Sequence, residues 1–493
     1  MVFLVIITCL SAIYIKTDVK AEEINKYIII DQTENIEPIE RNKIGIKIEN
    51  GDFYKKSLVI KDGFRIKDGV LERYTGRDAY VIIPEGVEKI GDRAFSENQI
   101  LQNVIIPGTV KTVGDYAFYN CSNLVKVEME NGMEEIGEFA FFYCSNLEEI
   151  ELPDSIYTIK SGAFYGCGKL VQINFPLYLN EISDRLFGGC IALEEITIPG
   201  HIKEIGDTAF FGCINLKKIE IESGVEEIGV STFSNCNNLE EINFPDSINK
   251  IGAGVFEECK NLKQVKLPLY ITEIGDRSFR KCVALKEINI PENVKKIGKY
   301  AFAYCENLKS VNGLSKVEEI GESAFEYCIM LNEVDISGLI EGIAGYTFRF
   351  CGSLSRIKLS DNIQYIDESA FDLCQNLKEI YLPTSLKEIL SHAFYNCEEL
   401  RQVIIPESVN NIGLYAFYGC SSLEEIEIPS KVTQIGKGTF ASCDNLKRVQ
   451  LPKEIQYIEK DAFMDCPQLI IYGVKDSYPQ YYAVENGIPF VEI

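Results

Sequence analysis

Sixteen cysteines recur along the chain, each three residues after a phenylalanine, and their thiols are the first groups whose chemistry must be decided. Cys121, Cys144, Cys167 and their successors to Cys466 stand 23 residues apart. Disulfide bonding, zinc ligation and burial as small hydrophobes compete to explain them. Zinc requires four converging ligands, which a 23-residue spacing without any Cys-x-x-Cys does not supply. Each repeat thiol meets only its counterparts in the adjoining repeats. With neighbouring segments about 8–10 Å apart, their Cα atoms exceed the roughly 7 Å that a disulfide tolerates. The thiols are therefore expected to be free and buried.

Other chemistry is sparse. There are two histidines, His201 after an expected strand and His392 beside Ala393-Phe394, and the pattern brings no Ser or Cys nucleophile to either. Gly252-Ala253-Gly254 is a lone Gly-x-Gly occupying the repeat's own glycine position, which argues against a nucleotide loop. No catalytic, cofactor or metal residues are expected, and the chain reads as a non-enzyme. Its formal charge of -25 disfavours nucleic acid and anionic lipid surfaces as partners, because phosphate binding needs clustered Lys and Arg.

A chain of 493 residues exceeds what one hydrophobic core usually serves, so an internal repeat is the first thing to look for. From Phe95 to Phe463 a Phe recurs every 23 residues without insertion or deletion, and a Leu follows six residues after each, from Leu101 to Leu469. The first repeat has Asn98 in place of Cys. Within a unit, Leu193, Ile196 and Ile198 end in apolar alternation and predict a short strand, closed by Pro199, which cannot continue a ladder. Ile205, Ala209 and Cys213, with Phe210 beside them, predict about two helical turns, opened by Gly206-Asp207 with its acid near the helix N-terminus.

One unit cannot fold alone. Its six or so large apolar side chains yield roughly 1.5–3 kcal/mol each on burial, whereas ordering each backbone residue costs roughly 1–2 kcal/mol. Stacking supplies the missing burial and makes the array nearly one-dimensional. Local departures leave the register intact: Gly313 replaces a strand apolar residue, Ser337 and Ser360 replace Pro, and Lys160, Ser183, Ala344, Asp367, Leu390 and Glu459 replace Gly.

The unit Leu-x-x-Ile-x-Ile-Pro-x-x-Val-x-x-Ile-Gly-x-x-Ala-Phe-x-x-Cys, over residues 80 to 475, resembles the BspA-type, or Treponema pallidum type, leucine-rich repeat. The resemblance implies an α/β repeat solenoid, a right-handed leucine-rich-repeat superhelix of about 17 units with a short parallel strand and a short helix in each. It further implies a bacterial or protist surface protein, in a family with members that act in adhesion to host matrix proteins, host cells or other bacteria.

Residues 1–21 read as a signal peptide, with an apolar run from Val2 to Tyr14 too short to span a bilayer and a cleavage point after Ala21. Export to the cell surface or medium follows, with no transmembrane segment in the mature chain. Residues 22–63 are expected to be a tail or small β element, 64–90 an N-terminal cap with a first strand at Tyr80–Ile83, 91–468 the solenoid and 469–493 a C-terminal cap. In that last segment Ser477 is expected to cap a helix that Gly487 stops.

The third and fifth positions counted from each strand Leu should face outward from the concave sheet. They carry twelve acids, among them Glu149, Glu151, Glu425 and Glu427, against six bases. Paired acids of this kind at a regular surface spacing read as a solvated face more simply than as a metal site. Tyr381, Ile404 and Ile105 are the apolar exceptions. Arg356, Lys358, Tyr381 and Gln402 form the least acidic stretch and are the expected ligand-binding residues, since aromatic and Arg side chains usually carry hot spots. The tyrosines after the repeat Phe, such as Tyr119 and Tyr165, are expected to cover the convex shoulder. Expected partners are protein ligands or cell-surface polymers, host extracellular matrix included. The rival reading is an envelope component that self-associates or binds cell wall.

Overall fold

A computed structural model describes residues 59–493. The expected signal peptide and nearly all of residues 22–63 lie outside the described residues.

Each 23-residue unit forms one coil of a solenoid of about 18 turns. The Leu-x-x-Ile-x-Ile segment is a parallel strand, and its register advances by one repeat per coil: Lys126 faces Glu149, and Glu195 faces Lys218. In strand Glu195–Ile198 the alternate residues Ile196 and Ile198 are buried while Glu195 and Thr197 are exposed, as a half-buried strand requires. The ladder lapses at residues 170–176. There the Asn174 side chain stands in for backbone pairing, donating to Leu152 O at 2.7 Å and accepting from Leu152 N at 2.9 Å.

A second parallel ladder, absent from the sequence reading, runs down the next side of the coil. Its rungs are only two residues long, as in Glu204–Ile205 against Glu227–Ile228.

The remaining side corrects the expected helix. From Gly206 to Cys213 the chain makes consecutive tight turns, with Phe211 N donating to Thr208 O at 3.0 Å and Cys213 N to Phe210 O at 3.2 Å. Between these, the amides of Thr208, Phe210 and Gly212 donate to Val230, Thr232 and Ser234 of the next coil at 2.8–2.9 Å. A helix directs its amides to carbonyls four residues back in the same segment. Here alternate amides serve the neighbouring coil, and Thr208 at φ 54° with Gly212 at φ 70° lies in the left-handed region. Among the described residues the helices are the 3-10 turn Leu314–Lys316 and the α-helix Tyr478–Glu485.

The acid of Gly-Asp consequently has a different task from helix capping. Asp184 Oδ1 accepts the amide of Asp207 at 2.8 Å and Asp207 Oδ1 that of Val230 at 2.6 Å, so the acids stitch coil to coil. Glycine precedes them because backbones nearly touch: a Cβ on Gly206 would sit 2.6 Å from Asp184 N.

The repeat Phe residues form one stacked column through the interior, with centroids 4.8 to 5.9 Å apart and nearly every ring fully buried. The column continues at both ends. Tyr74 packs on Phe95 at 5.1 Å, and Tyr482 of the terminal helix packs on Phe463 at 6.2 Å. At the start, Val59–Lys61, Phe64–Lys67 and Val70–Tyr74 pair antiparallel before the parallel ladders begin. At the other end Ser477 occupies the N-cap position without capping the helix. Its hydroxyl donates to Val474 O, while Asp476 N donates to Gln480 Oε1 at 2.7 Å.

Candidate functional site

The cysteine column lies beside the Phe column. All sixteen repeat thiols are free, and all but Cys466 are buried. Each donates to the carbonyl of the Phe one coil back, as Cys121 does to Phe95 O at 3.1 Å and Cys259 to Phe233 O at 3.1 Å. From Cys121 to Cys420 burial is the dominant influence on thiol acidity, and it pushes Cys213 and Cys259 up to about 12. A thiol held protonated is a poor nucleophile, so the column is structural. Cys466, in the last repeat, is the exception: a hydrogen bond from Cys443 holds it below the ordinary thiol range. In the native chain at neutral pH, Cys466 is therefore expected to be the first of the sixteen alkylated by a maleimide, and the others are expected to react at the rate of coil opening. Peptide mapping of a labelling time course measures this, and equal labelling of Cys259 and Cys466 would contradict it.

The histidines are placed many coils apart. His201 Nε2 lies 3.1 Å from Pro176 O, and the His392 ring stacks on Tyr415 at 5.2 Å. Gly252-Ala253-Gly254 is absorbed by coil packing: a Cβ on Gly252 would lie 2.5 Å from Gly229 C, and the amides of Gly252 and Gly254 donate to Ile228 O and Asp276 O. Those amides are unavailable to a phosphate. Among the described residues no group of three His, Cys, Asp or Glu is placed to hold a metal ion.

Arg356, Lys358, Tyr381 and Gln402 do come together on adjacent strands of the long ladder. Arg356 faces Glu379, Glu379 faces Gln402, and Tyr381 faces Ile404. Tyr381 is 75% exposed and Ile404 70%, an apolar pair standing on the open face of a strand ladder. The bases are less free than the sequence implied. Arg356 lies 3.8 Å from Glu333 and Lys358 lies 3.6 Å from Asp335, both well exposed, so each pair adds at most about 1 kcal/mol and is readily exchanged for a ligand carboxylate. The same face carries a second apolar group missed in the sequence reading: Tyr80, 65% exposed, and Ile82, which faces Ile105. Its signal was present, because Tyr80 and Ile82 occupy the third and fifth strand positions one unit before Ile105.

Two parallel ladders per coil, a Leu-x-x-Ile-x-Ile strand and a buried aromatic column define a leucine-rich-repeat solenoid. The chain belongs to the BspA type leucine rich repeat region family, whose pattern matches residues 74–192, 180–309, 228–355, 272–401 and 341–470. Similar solved structures include a leucine-rich repeat protein from Bacteroides ovatus, 24% identical, covering 82% of this chain and 97% of that one with a TM-score of 0.48. A leucine rich cell surface protein from Faecalibacterium prausnitzii is 22% identical and covers 87% and 98% with a TM-score of 0.40. The pneumococcal vaccine antigen PcpA is 18% identical and covers 89% and 98% with a TM-score of 0.34. No curated protein matches this chain significantly. No helix among the described residues is long and apolar enough to cross a membrane.

Proposed function

We propose that this chain is an exported, non-enzymatic binding protein of the cell surface or medium that engages protein ligands or cell-surface polymers, and that it mediates adhesion to host matrix or cells. The observation that carries this reading is the exposed Tyr381–Ile404 pair flanked by Arg356, Lys358 and Gln402 on one face of the strand ladder. Tyr and Arg contribute large contact area and forked hydrogen bonding at low entropic cost, the usual makeup of a binding hot spot. The acidic remainder of that face favours a partner with basic groups around a central contact. Family membership supports protein binding in general, and adhesion rests on analogy with other family members.

The test is binding of the purified chain to a panel of matrix proteins and intact cells. Arg356→Glu with Lys358→Glu, and separately Tyr381→Ala, are each expected to weaken saturable binding to the preferred ligand at least about tenfold. Unchanged isotherms for both variants would remove this patch from the proposal.

A further inference from the structure

The outer side of the turn segments carries a second site, built from different residues and independent of the strand-face patch. In coils 116–189 aromatic rings lean onto glycines of the next coil. A Cβ on Gly162 would lie 2.2 Å from the Phe139 ring, one on Gly166 2.5 Å from Tyr143, and one on Gly188 2.5 Å from Tyr165. The missing side chains let the rings settle into a connected platform, with Tyr119 stacked on Phe142 at 5.5 Å and Phe142 on Tyr165 at 5.2 Å. Tyr119 and Tyr165 thus do more than cover the shoulder of the coil.

The platform then stops. Beyond Tyr143 and Tyr165 the corresponding positions are bare backbone: nothing lies within 4 Å of a Cβ on Gly212, and only Gly166 backbone lies near one on Gly189. The result is an open trough of about 500 Å³, with Tyr143, Tyr165 and Phe211 as aromatic walls and Arg185 and Thr208 on its rim. That volume falls within the ordinary range of small-ligand sites.

Arg185 is what singles this trough out. Among the described residues it forms no ion pair. In the other aromatic stretch of the turn face, Arg280 is paired with Glu257 at 2.8 Å and Arg349 with Asp372 at 3.0 Å. Asp184, beside Arg185 in sequence, and Asp207, the counterpart of Asp184 one coil on, each have an oxygen engaged with a backbone amide, that of Asp207 and that of Val230. An exposed, unpaired guanidinium in a chain of charge -25, beside fixed aromatic rings, suits a ligand that presents a flat C–H face and a carboxylate on one rigid unit. A uronic- or sialic-acid sugar ring has that form. Its C–H face is attracted to the π cloud, and its carboxylate takes the guanidinium fork.

We propose that this trough binds an acidic oligosaccharide, a pyranose face lying on Tyr165 and its carboxylate on Arg185. The test is saturation-transfer NMR and titration of the whole chain with sialyllactose and digalacturonate, and with neutral lactose and cellobiose as controls. The acidic sugars are expected to bind saturably, more weakly at raised salt, and at least about tenfold tighter than the neutral ones. Arg185→Gln is expected to bring their affinity down to that of the neutral sugars, and Tyr165→Ala, checked for an unchanged far-ultraviolet spectrum, to abolish both. Should Tyr165→Ala fail to fold, the Arg185→Gln comparison decides the matter alone. Absence of binding by either acidic sugar, equal affinity for acidic and neutral sugars, or acidic-sugar affinity that survives Arg185→Gln would each overturn the proposal.

Discussion

Raising the pH above 9 is expected to unfold the array within about one to two pH units, well before tyrosine ionisation is complete. The fifteen fully buried repeat thiols are held protonated, Cys213 and Cys259 up to about 12, whereas an unfolded cysteine ionises near 8.5. An acid whose folded pKa is raised gives the unfolded state fewer bound protons above that lower value, so stability falls with rising pH. The stabilisation is fully present below about pH 8.5 and is lost as pH climbs toward 12. Each thiol removes up to about 1.4 kcal/mol per pH unit in that window. A coil of this length holds only roughly 1–3.5 kcal/mol by the usual per-residue scale, so one titration per coil suffices to melt it. Circular dichroism against pH measures the effect. Replacing Cys259, Cys282 and Cys305 by Ala removes three of these titrations and is expected to leave the central coils protected from hydrogen exchange to higher pH than their neighbours. A spectrum unchanged to pH 11 would contradict the buried thiol column.

Phe302→Ala is expected to cost about 3–5 kcal/mol, with about 0.5–1.5 kcal/mol more from lost ring stacking. Phe302 is fully buried between Phe279 at 5.1 Å and Phe325 at 5.4 Å, so the cavity has rigid rings on both sides and little means to collapse. Coils contact only their neighbours, so the lesion should also uncouple the two halves of the array. Urea unfolding is then expected to resolve into two transitions where the parent shows one, and proteolysis to begin near residue 302. Phe302→Leu should cost less than half as much. A loss under about 1 kcal/mol with a single transition would mean that the Phe column is not what couples the coils.

These two effects rest on columns that the sequence makes legible, because a Phe and a Cys that never leave a 23-residue phase must superimpose in any stacked array. The strand was legible for a similar reason, since Leu193, Ile196 and Ile198 carry both burial and a Pro stop. The helix was not. Ile205, Ala209 and Cys213 lie four apart, which fits two helical turns or a run of tight turns equally well, and the deciding feature is positive φ at residues such as Thr208, Tyr116 and Arg93. Nothing in their side chains announces that conformation. It is imposed by the neighbouring coil, which takes alternate amides. The two-residue ladder was hidden because Glu204–Ile205 is too short to show alternation.

The binding surfaces were legible unevenly. Tyr381 and Arg356 stood out as exceptions in an acidic row, and the structure adds that Arg356 and Lys358 already pair with the carboxylates of Glu333 and Asp335. Gly162, Gly166 and Gly188 carry no signal of their own in the sequence. Only the rings lying on them reveal why a side chain is absent there.

The most direct measurement is a saturation isotherm of the purified chain on matrix proteins, host cells and isolated cell walls, at low and raised salt, run beside sedimentation of the chain alone. Saturable binding to a matrix protein or host cell by a chain that sediments as a monomer, weakened by salt and by charge reversal at Arg356 and Lys358, is the expected result. Retention on cell walls or concentration-dependent self-association, with no binding to any matrix protein or cell, would contradict adhesion and identify an envelope component.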